Sequence, residues 1–523
     1  MLNKKNRFFA AFFALLISVS AFAQVEKQTP KLLVFVVVEQ LRGDYLQYFS
    51  PTFGEKGFKR LMNNGLVYHN VDFGFTSIDN ASSMATLFTG AYPNVHGITG
   101  SKRYDFEAIR ETSILYDKDY IGNYTSDRFS PLAIMSSTIT DELKIASSGY
   151  SDIYAIAPNA EEAIISAGKY ADAAFWLDNY TGHWATTTYY KNIPWYIDRY
   201  NASQTFDGKD EWTPALRSYS AFSYSRSFSS FRHTFSKADM NRFLRIKQSP
   251  LINSEITDMA SKFFEYADFG KRGNPDFLAI TYYAGEYEYD AAAGSFSWEI
   301  QDTYYRLDKE IERLLALIDS KVGLQNALVV LTGSGYYDAW SKLPEGFNPA
   351  GEFYPSRCIA LLNMYLAAIY GSGDWTKGFY ENQIYLNQKL IEDKGLDRQD
   401  VIRKASDFLV RLSGVQEVVP SEQWLFGDSW QSERFRRGMY KATSGDLYLK
   451  IQPGWTIITD NQTVNSNYVR TAALSPLFFL GGNIKHNEIF RTVNAVEIAP
   501  TLSYLLRIRQ PNGAEVAVLN ELF

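Results

Sequence analysis

FGFTSIDNASSMATLFTG, residues 73–90, is the stretch whose reading decides the fold. An aromatic strand end, Phe73 to Phe75, runs into a short polar turn. A helix then starts at Asp79 or Asn80, with Asp79 as its cap, runs through Phe88 and closes on Thr89-Gly90. Ser82 and Ser83 fall in its first turn, where such residues satisfy backbone N–H groups that lack a helical partner. Working outward, KLLVFVVVEQL (31–41) is a β-branched run with almost no alternation, the pattern of a parallel strand covered on both faces. FGEKGFKRLMNNG (53–65) has helical spacing and stops at Gly65, and LVYHNVDFGF reads as the next strand.

Further β signals lie at 151–157, 276–283, 327–333 and 475–482. Helical patterns sit between them, clearest at 297–323, where Ile300, Tyr304, Leu307, Ile311 and Leu314 recur at helical spacing. Its charged pairs, such as Arg306 with Glu310, read as ordinary surface stabilisers. A last helix is predicted at 496–506. Strands alternating with helices predict an α/β three-layer sandwich with a mainly parallel central sheet. Residues 178–272 and 336–465 break the rhythm and read as insertions that cover one end of the sheet.

Composition sets the outer bounds. The chain has 523 residues and a formal net charge of -6, so no basic excess exists to neutralise phosphates and a nucleic-acid binder is disfavoured. Aromatic residues make up 16%, which suits either a Tyr-rich core and surface or a stacking surface for a sugar or a partner protein. Residues 1–23 read as a signal peptide: Lys4, Lys5 and Arg7, then the apolar run Phe8–Val19, then Ala21-Phe22-Ala23 before Gln24. Residues 24–523 are then an exported domain, periplasmic or associated with the outer membrane. No later run has the length of a membrane span. Cys358 stands alone, in an apolar stretch, so an internal disulfide or a cysteine-based zinc cluster is ruled out and a buried small side chain is expected.

In order along the chain, VVVEQLRGDYL (36–46), FGEKGFKRLMNNG (53–65), LFTGAYPNVHGITG (87–100), AGKYADAAFW (167–176) and WEIQDTYYRLDKEI (298–311) form one set of marks. LTGSGYYDAW (331–340), SPLFFLGGNI (475–484) and EIAPTLSYLL (497–506) complete it. Together they resemble the alkaline phosphatase superfamily, in its phosphate-irrepressible phosphatase and nucleotide pyrophosphatase/phosphodiesterase branch. The resemblance implies a two-zinc site held by Asp and His side chains, and a Thr or Ser nucleophile at a helix N-terminus.

The residues at the matching positions do not supply that chemistry. The nucleophile falls at Asn80, whose amide cannot become an alkoxide. The metal ligands fall at Glu39, Tyr282, Glu286, Ser334, Gly335 and Leu474, and the groups that would contact a phosphoryl oxygen fall at Ser101, Asn159 and Glu161. The chain has five histidines, His69, His96, His183, His233 and His486, and none lies at the strand ends where zinc ligands belong.

Three readings follow. One is an exported pseudoenzyme, without catalytic residues or a resident cofactor, acting as a binding or scaffold subunit with a protein partner in the cell envelope. The second is a metal-dependent phosphoester or sulfoester hydrolase with a rebuilt site. It would use zinc, or a hard divalent cation held by Glu39, Asp79, Glu286, Glu288 and Asp290 with hydroxyls such as Ser77 nearby. The third is a glycan-binding protein with an aromatic surface around Trp184, Trp195, Tyr336, Tyr337 and Trp340.

Overall fold

The structure, a computed structural model, describes residues 29–106, 110–191, 193–203, 206, 209–216, 231–287, 298–340, 351–452, 455–458 and 468–523. The signal-peptide segment 1–23 and the acids Glu288 and Asp290 lie outside them.

The run predicted at 31–41 forms β1 (Leu32–Glu39), and the strand after Gly65 forms β2 (Leu66–Asp72). Gly122–Asn123 is a short β3, followed by β4 (Ile153–Ala157), β5 (Ala173–Leu177) and β6 (Trp184–Thr187). The later strands are β7 (Asp276–Tyr283), β8 (Ala327–Gly333), β9 (Ser475–Leu480) and β10 (Asn487–Asn494). These ten strands make one sheet in the order β10-β2-β9-β8-β1-β7-β4-β5-β6-β3. The central run β8-β1-β7-β4-β5 is parallel, while β9 and β6 run against their neighbours. β3, β5, β6 and β10 are absent from the sequence reading. β3 and β6 have only two and four residues, and β10 is a polar edge strand.

The absence of alternation in β1 has a direct structural meaning. Leu32, Val34, Val36 and Val38 enter one hydrophobic cluster, and Leu33, Phe35 and Val37 enter the other, on the opposite face. Each such side chain, fully buried, contributes about 1.5–3 kcal/mol. Helices α4 (Leu251–Tyr266) and α5 (Trp298–Lys321) cover the first face. α1 (Asn80–Thr89), α3 (Ala160–Ala167) and α6 (Ile498–Leu506) cover the second, with α2 (Ile139–Ala146) beside them. This is the three-layer sandwich. The five apolar positions of α5 are all buried as expected. Its ion pairs differ from expectation: Arg306 pairs with the buried Asp302 at 2.6 Å, and Glu310 with Arg313 at 2.7 Å. Asp302 also accepts from the Trp212 indole at 2.7 Å, so this contact anchors a loop rather than decorating a surface.

Within 178–272, β6 extends the sheet and α4 packs on its face, so those parts belong to the sandwich. Within 336–465, residues 353–449 hold a separate hydrophobic cluster containing Cys358, Leu362, Trp375 and Leu449. Its four-stranded sheet runs Thr376–Tyr380, Gln383–Leu386, Leu447–Ile451, Val415–Pro420. Burial pushes the Cys358 thiol up to about 12, consistent with an inert packing role. Among the described residues no helix is long and apolar enough to cross a membrane.

Candidate functional site

Parallel register brings three strand ends to one level. Glu39 of β1 lies opposite Tyr283 of β7, and Val38 lies opposite Gly333 of β8. The N-terminus of α1 faces this level. Asp79 caps it through a reciprocal box: its Oδ1 accepts from the Ser82 backbone N–H at 2.9 Å, and the Ser82 hydroxyl lies 2.9 Å from the Asp79 nitrogen. The other Asp79 oxygen accepts from the Ser101 N–H at 2.6 Å and the Ser101 hydroxyl at 2.8 Å. Ser101 is therefore held by the cap. Ser83 turns to the Ser334 carbonyl, to which its hydroxyl donates at 2.7 Å.

Asn80, the first helical residue, donates from Nδ2 to Glu162 Oε1 at 2.7 Å. Glu162 sits in the first turn of α3, where its Oε2 accepts from the Asn159 N–H at 3.0 Å. The Glu162 carboxyl is also hydrogen-bonded to Glu39, and Glu39 Oε1 accepts from the Tyr336 hydroxyl at 2.9 Å. The result is a buried chain, Asn80–Glu162–Glu39–Tyr336. Burial, and then the Glu39 charge beside it, holds the Glu162 carboxyl well above its ordinary range; Glu39 is also raised, mainly by burial. Two buried carboxyls in contact cannot both ionise cheaply, so the pair shares a proton. Glu162 is absent from the site residues read from the sequence. Its signal was present, because Asn159-x-x-Glu162 is a capping-box pattern, but nothing local pointed that box toward Asn80.

The other proposed ligand positions do not converge. Tyr282 points into the core, its hydroxyl 2.8 Å from that of Thr257. Glu286 is buried. The Ser334 hydroxyl accepts from the Gln40 N–H at 2.9 Å. Gly335 has φ +77, and a Cβ there would lie 2.1 Å from the Phe73 ring, so the aromatic side chain fills the space a ligand would need. Leu474 is 47% exposed, at the surface. Across the cleft, Asp338 forms a bidentate pair with Arg470 at 2.8 and 2.9 Å, and Arg470 lies over the Tyr336 ring.

The cation that does reach the Asn159 region comes from elsewhere. Lys247 Nζ donates to Asn159 Oδ1 at 3.3 Å and to Asn179 Oδ1 at 2.5 Å. Burial lowers its ammonium to about 8, against the opposing pull of Glu162 and Glu161. Glu161 itself is raised by burial. One cation thus faces several acids, the reverse of a phosphate site.

The histidines serve the scaffold. His96 is buried, accepts from the Ile98 N–H at 3.1 Å, and burial drops it to about 3. His69 stacks on Phe490, His486 contacts the Gly65 carbonyl, His183 abuts Tyr124, and His233 sits among Trp212, Phe231 and Tyr287. Two zinc ions do not fit this donor set. A Phe ring, a core-facing Tyr and a surface Leu stand where imidazoles and carboxylates are required. Among the described residues no three His, Cys, Asp or Glu side chains are grouped to hold a metal. The aromatic surface also needs correcting. Trp184 and Tyr336 are fully buried, with the Trp184 indole donating to Glu255 at 3.1 Å, so neither ring is open to a sugar.

The family model described as type I phosphodiesterase / nucleotide pyrophosphatase matches residues 33–473. A Myroides odoratus protein named calcium-transporting ATPase is 30% identical over 528 residues, covering 95% of both chains. Alkaline phosphatase PhoV of Synechococcus elongatus is 27% identical, over 94% of this chain and 93% of its own. The crystal structure of wild-type alkaline phosphatase PafA superposes with a TM-score of 0.79 at 26% identity, covering 95% of this chain and 99% of that one. The match begins within β1 and ends two residues before β9, spanning every strand end that borders the cleft, and the chain belongs to the type I phosphodiesterase / nucleotide pyrophosphatase family of the alkaline phosphatase superfamily.

Proposed function

We propose that this chain is a pseudoenzyme of its family, exported by its leader-like segment 1–23, and that it works by binding, as a scaffold or subunit with a protein partner in the cell envelope. The observation that carries this reading is the Asn80–Glu162–Glu39–Tyr336 chain. The amide at the nucleophile position has no proton to lose to a base at neutral pH, and its Nδ2 is committed to a carboxyl. The carboxyl pair stands where a phosphoryl group would have to enter. Two like charges 4 Å apart cost about 4 kcal/mol at an effective dielectric of ~20, so a phosphate dianion meets repulsion where an active relative would supply attraction. Lys247 offsets part of this, but its charge already faces Glu161 and Glu162.

The test is hydrolysis of an aryl phosphate monoester and diester by residues 24–523 with zinc supplied, with bound metal measured on the same sample. No turnover and no stoichiometric zinc is the expected result. Chelator-sensitive turnover with bound metal overturns the reading.

A further inference from the structure

A pocket of about 240 Å³ lies between the sandwich and the residue 353–449 unit, apart from the Asn80 chain. On the sandwich side its wall is the hairpin of Lys102–Asp105 and Arg110–Ser113; on the other it is the pair Thr376–Tyr380 and Gln383–Leu386. Four half-buried rings line it, and they hold one another in place. Tyr104 packs on Phe106 at 4.7 Å and on Tyr380 at 5.6 Å, and Phe106 packs on Tyr385 at 4.4 Å.

Between Tyr380 and Gln383 the chain turns in two residues, Glu381 and Asn382, both with positive φ (46° and 62°). That is the twist-matched geometry of a tight hairpin, and it sets Glu381 firmly on the pocket wall. Solvent reaches Glu381, yet protein atoms crowd it. That burial, with Asp79 and then Glu111 nearby, pushes its carboxyl up to about 7. Near neutral pH it can therefore both give and accept a hydrogen bond. Lys102 and Arg103 stand exposed at the mouth. Lys102 pairs with Glu111 at 3.1 Å, a contact solvent-exposed on both sides that holds it weakly.

We propose that this pocket binds a single sugar ring bearing a carboxylate, with the ring's C–H face on the aromatic wall, its hydroxyls on Glu381 and Gln383, and its acid group on Lys102 and Arg103. The volume, below the about 300–1,000 Å³ that drug-sized molecules take, suits a single ring. Rigid aromatic side chains offer contact area at little entropic cost. The proposal goes beyond the protein-partner role argued above by adding a small-molecule ligand, and it rests on different residues.

Saturation-transfer NMR on residues 24–523 with galacturonic acid, galactose and benzoate tests it. Galacturonate is expected to bind about tenfold more tightly than galactose, a ratio equivalent to about 1.4 kcal/mol. Lys102→Ala with Arg103→Ala, both surface positions, should bring galacturonate down to the galactose level. Tyr385→Ala should weaken both sugars, with its melting curve read to confirm folding. Binding of benzoate alone, no transfer to either sugar, or galacturonate binding untouched by the double variant overturns the assignment. The hydrolysis assay reads a separate question, so either result there leaves this one standing or falling on its own.

Discussion

Phe35 and Glu39 lie four residues apart on the same strand and answer to different physics. Phe35 is fully buried and stacks on Phe88 at 4.9 Å, one of many apolar side chains any of which can be exchanged for another of similar volume. Glu39 sits at the strand end, where its carboxyl has two specific partners, Tyr336 and Glu162. The first kind of position is determined by pattern and volume, spread over more than a hundred residues. The second is determined by individual atoms. A fold can therefore persist while its chemistry is replaced, because the two draw on almost separate sets of side chains.

The sharpest way to break this contrast is to damage the core. Phe35→Ala should cost about 3–5 kcal/mol, read as a lowered urea midpoint with little change in slope. A loss under about 1 kcal/mol would mean that the sandwich tolerates cavities as freely as the cleft has tolerated substitution. Gly335→Ala is expected to cost somewhat less, about 2–4 kcal/mol. Part of that is the left-handed backbone, at roughly 1–2 kcal/mol. The rest is overpacking, since the new methyl would lie 2.1 Å from the Phe73 ring. If Gly335→Ala proves neutral, Phe73 moves readily and a ligand at 335 becomes feasible, which would weaken the argument from donor set.

The same division explains what was legible in the sequence. The runs at 31–41, 276–283 and 327–333 declared themselves because burial on both faces leaves an unbroken apolar string. The Asp79 cap and the long α5 were equally plain, since caps and helical spacing are local. β10 was not, because an edge strand exposes NEIFRTVN to solvent and keeps its polar residues. Arg306 was matched to Glu310 by spacing alone, and the buried Asp302 won because it also anchors Trp212. In the cleft, the residue types at the positions matched to family ligands could be named one by one from the sequence. Their partners could not: Glu162 lies 82 residues from Asn80, and Lys247 lies 88 from Asn159. Likewise Trp184 and Tyr336 look like surface aromatics in a loop-rich stretch, and only the packing shows that they are buried.

A smaller effect probes the carboxyl pair. Glu39→Gln keeps an acceptor for the Tyr336 hydroxyl and offers an N–H to Glu162, so it removes a charge and preserves the contacts. In the wild type both carboxyls are raised above the ordinary value of 4.5. A raised group stabilises the fold fully below its unfolded value, and that contribution is lost as pH climbs through the folded value. The wild type should therefore lose stability between pH 5 and pH 8 relative to Glu39→Gln, by on the order of 1 kcal/mol. Urea midpoints at the two pH values check this. An identical gap at both would mean that the pair is already ionised and stabilised by something other than a shared proton.

The smallest expected effect is the most informative about function. Asn80→Thr puts a hydroxyl back at the start of α1, and the cap that positions it, Asp79 with Ser82 and Ser101, is intact. If one missing nucleophile were the whole difference from an active relative, zinc-dependent hydrolysis should appear. We expect none. The new hydroxyl would face Glu162, which accepts a hydrogen bond from Asn80 in the wild type and, sharing a proton with Glu39, is not free to take another. A metal would still find Phe73 over Gly335, Tyr282 turned to Thr257 and Leu474 at the surface. Catalytic groups act as a unit, so restoring one member of a dismantled set recovers little. Measurable turnover in Asn80→Thr would place the lesion in that single side chain and make the cleft an enzyme site held one residue away from activity.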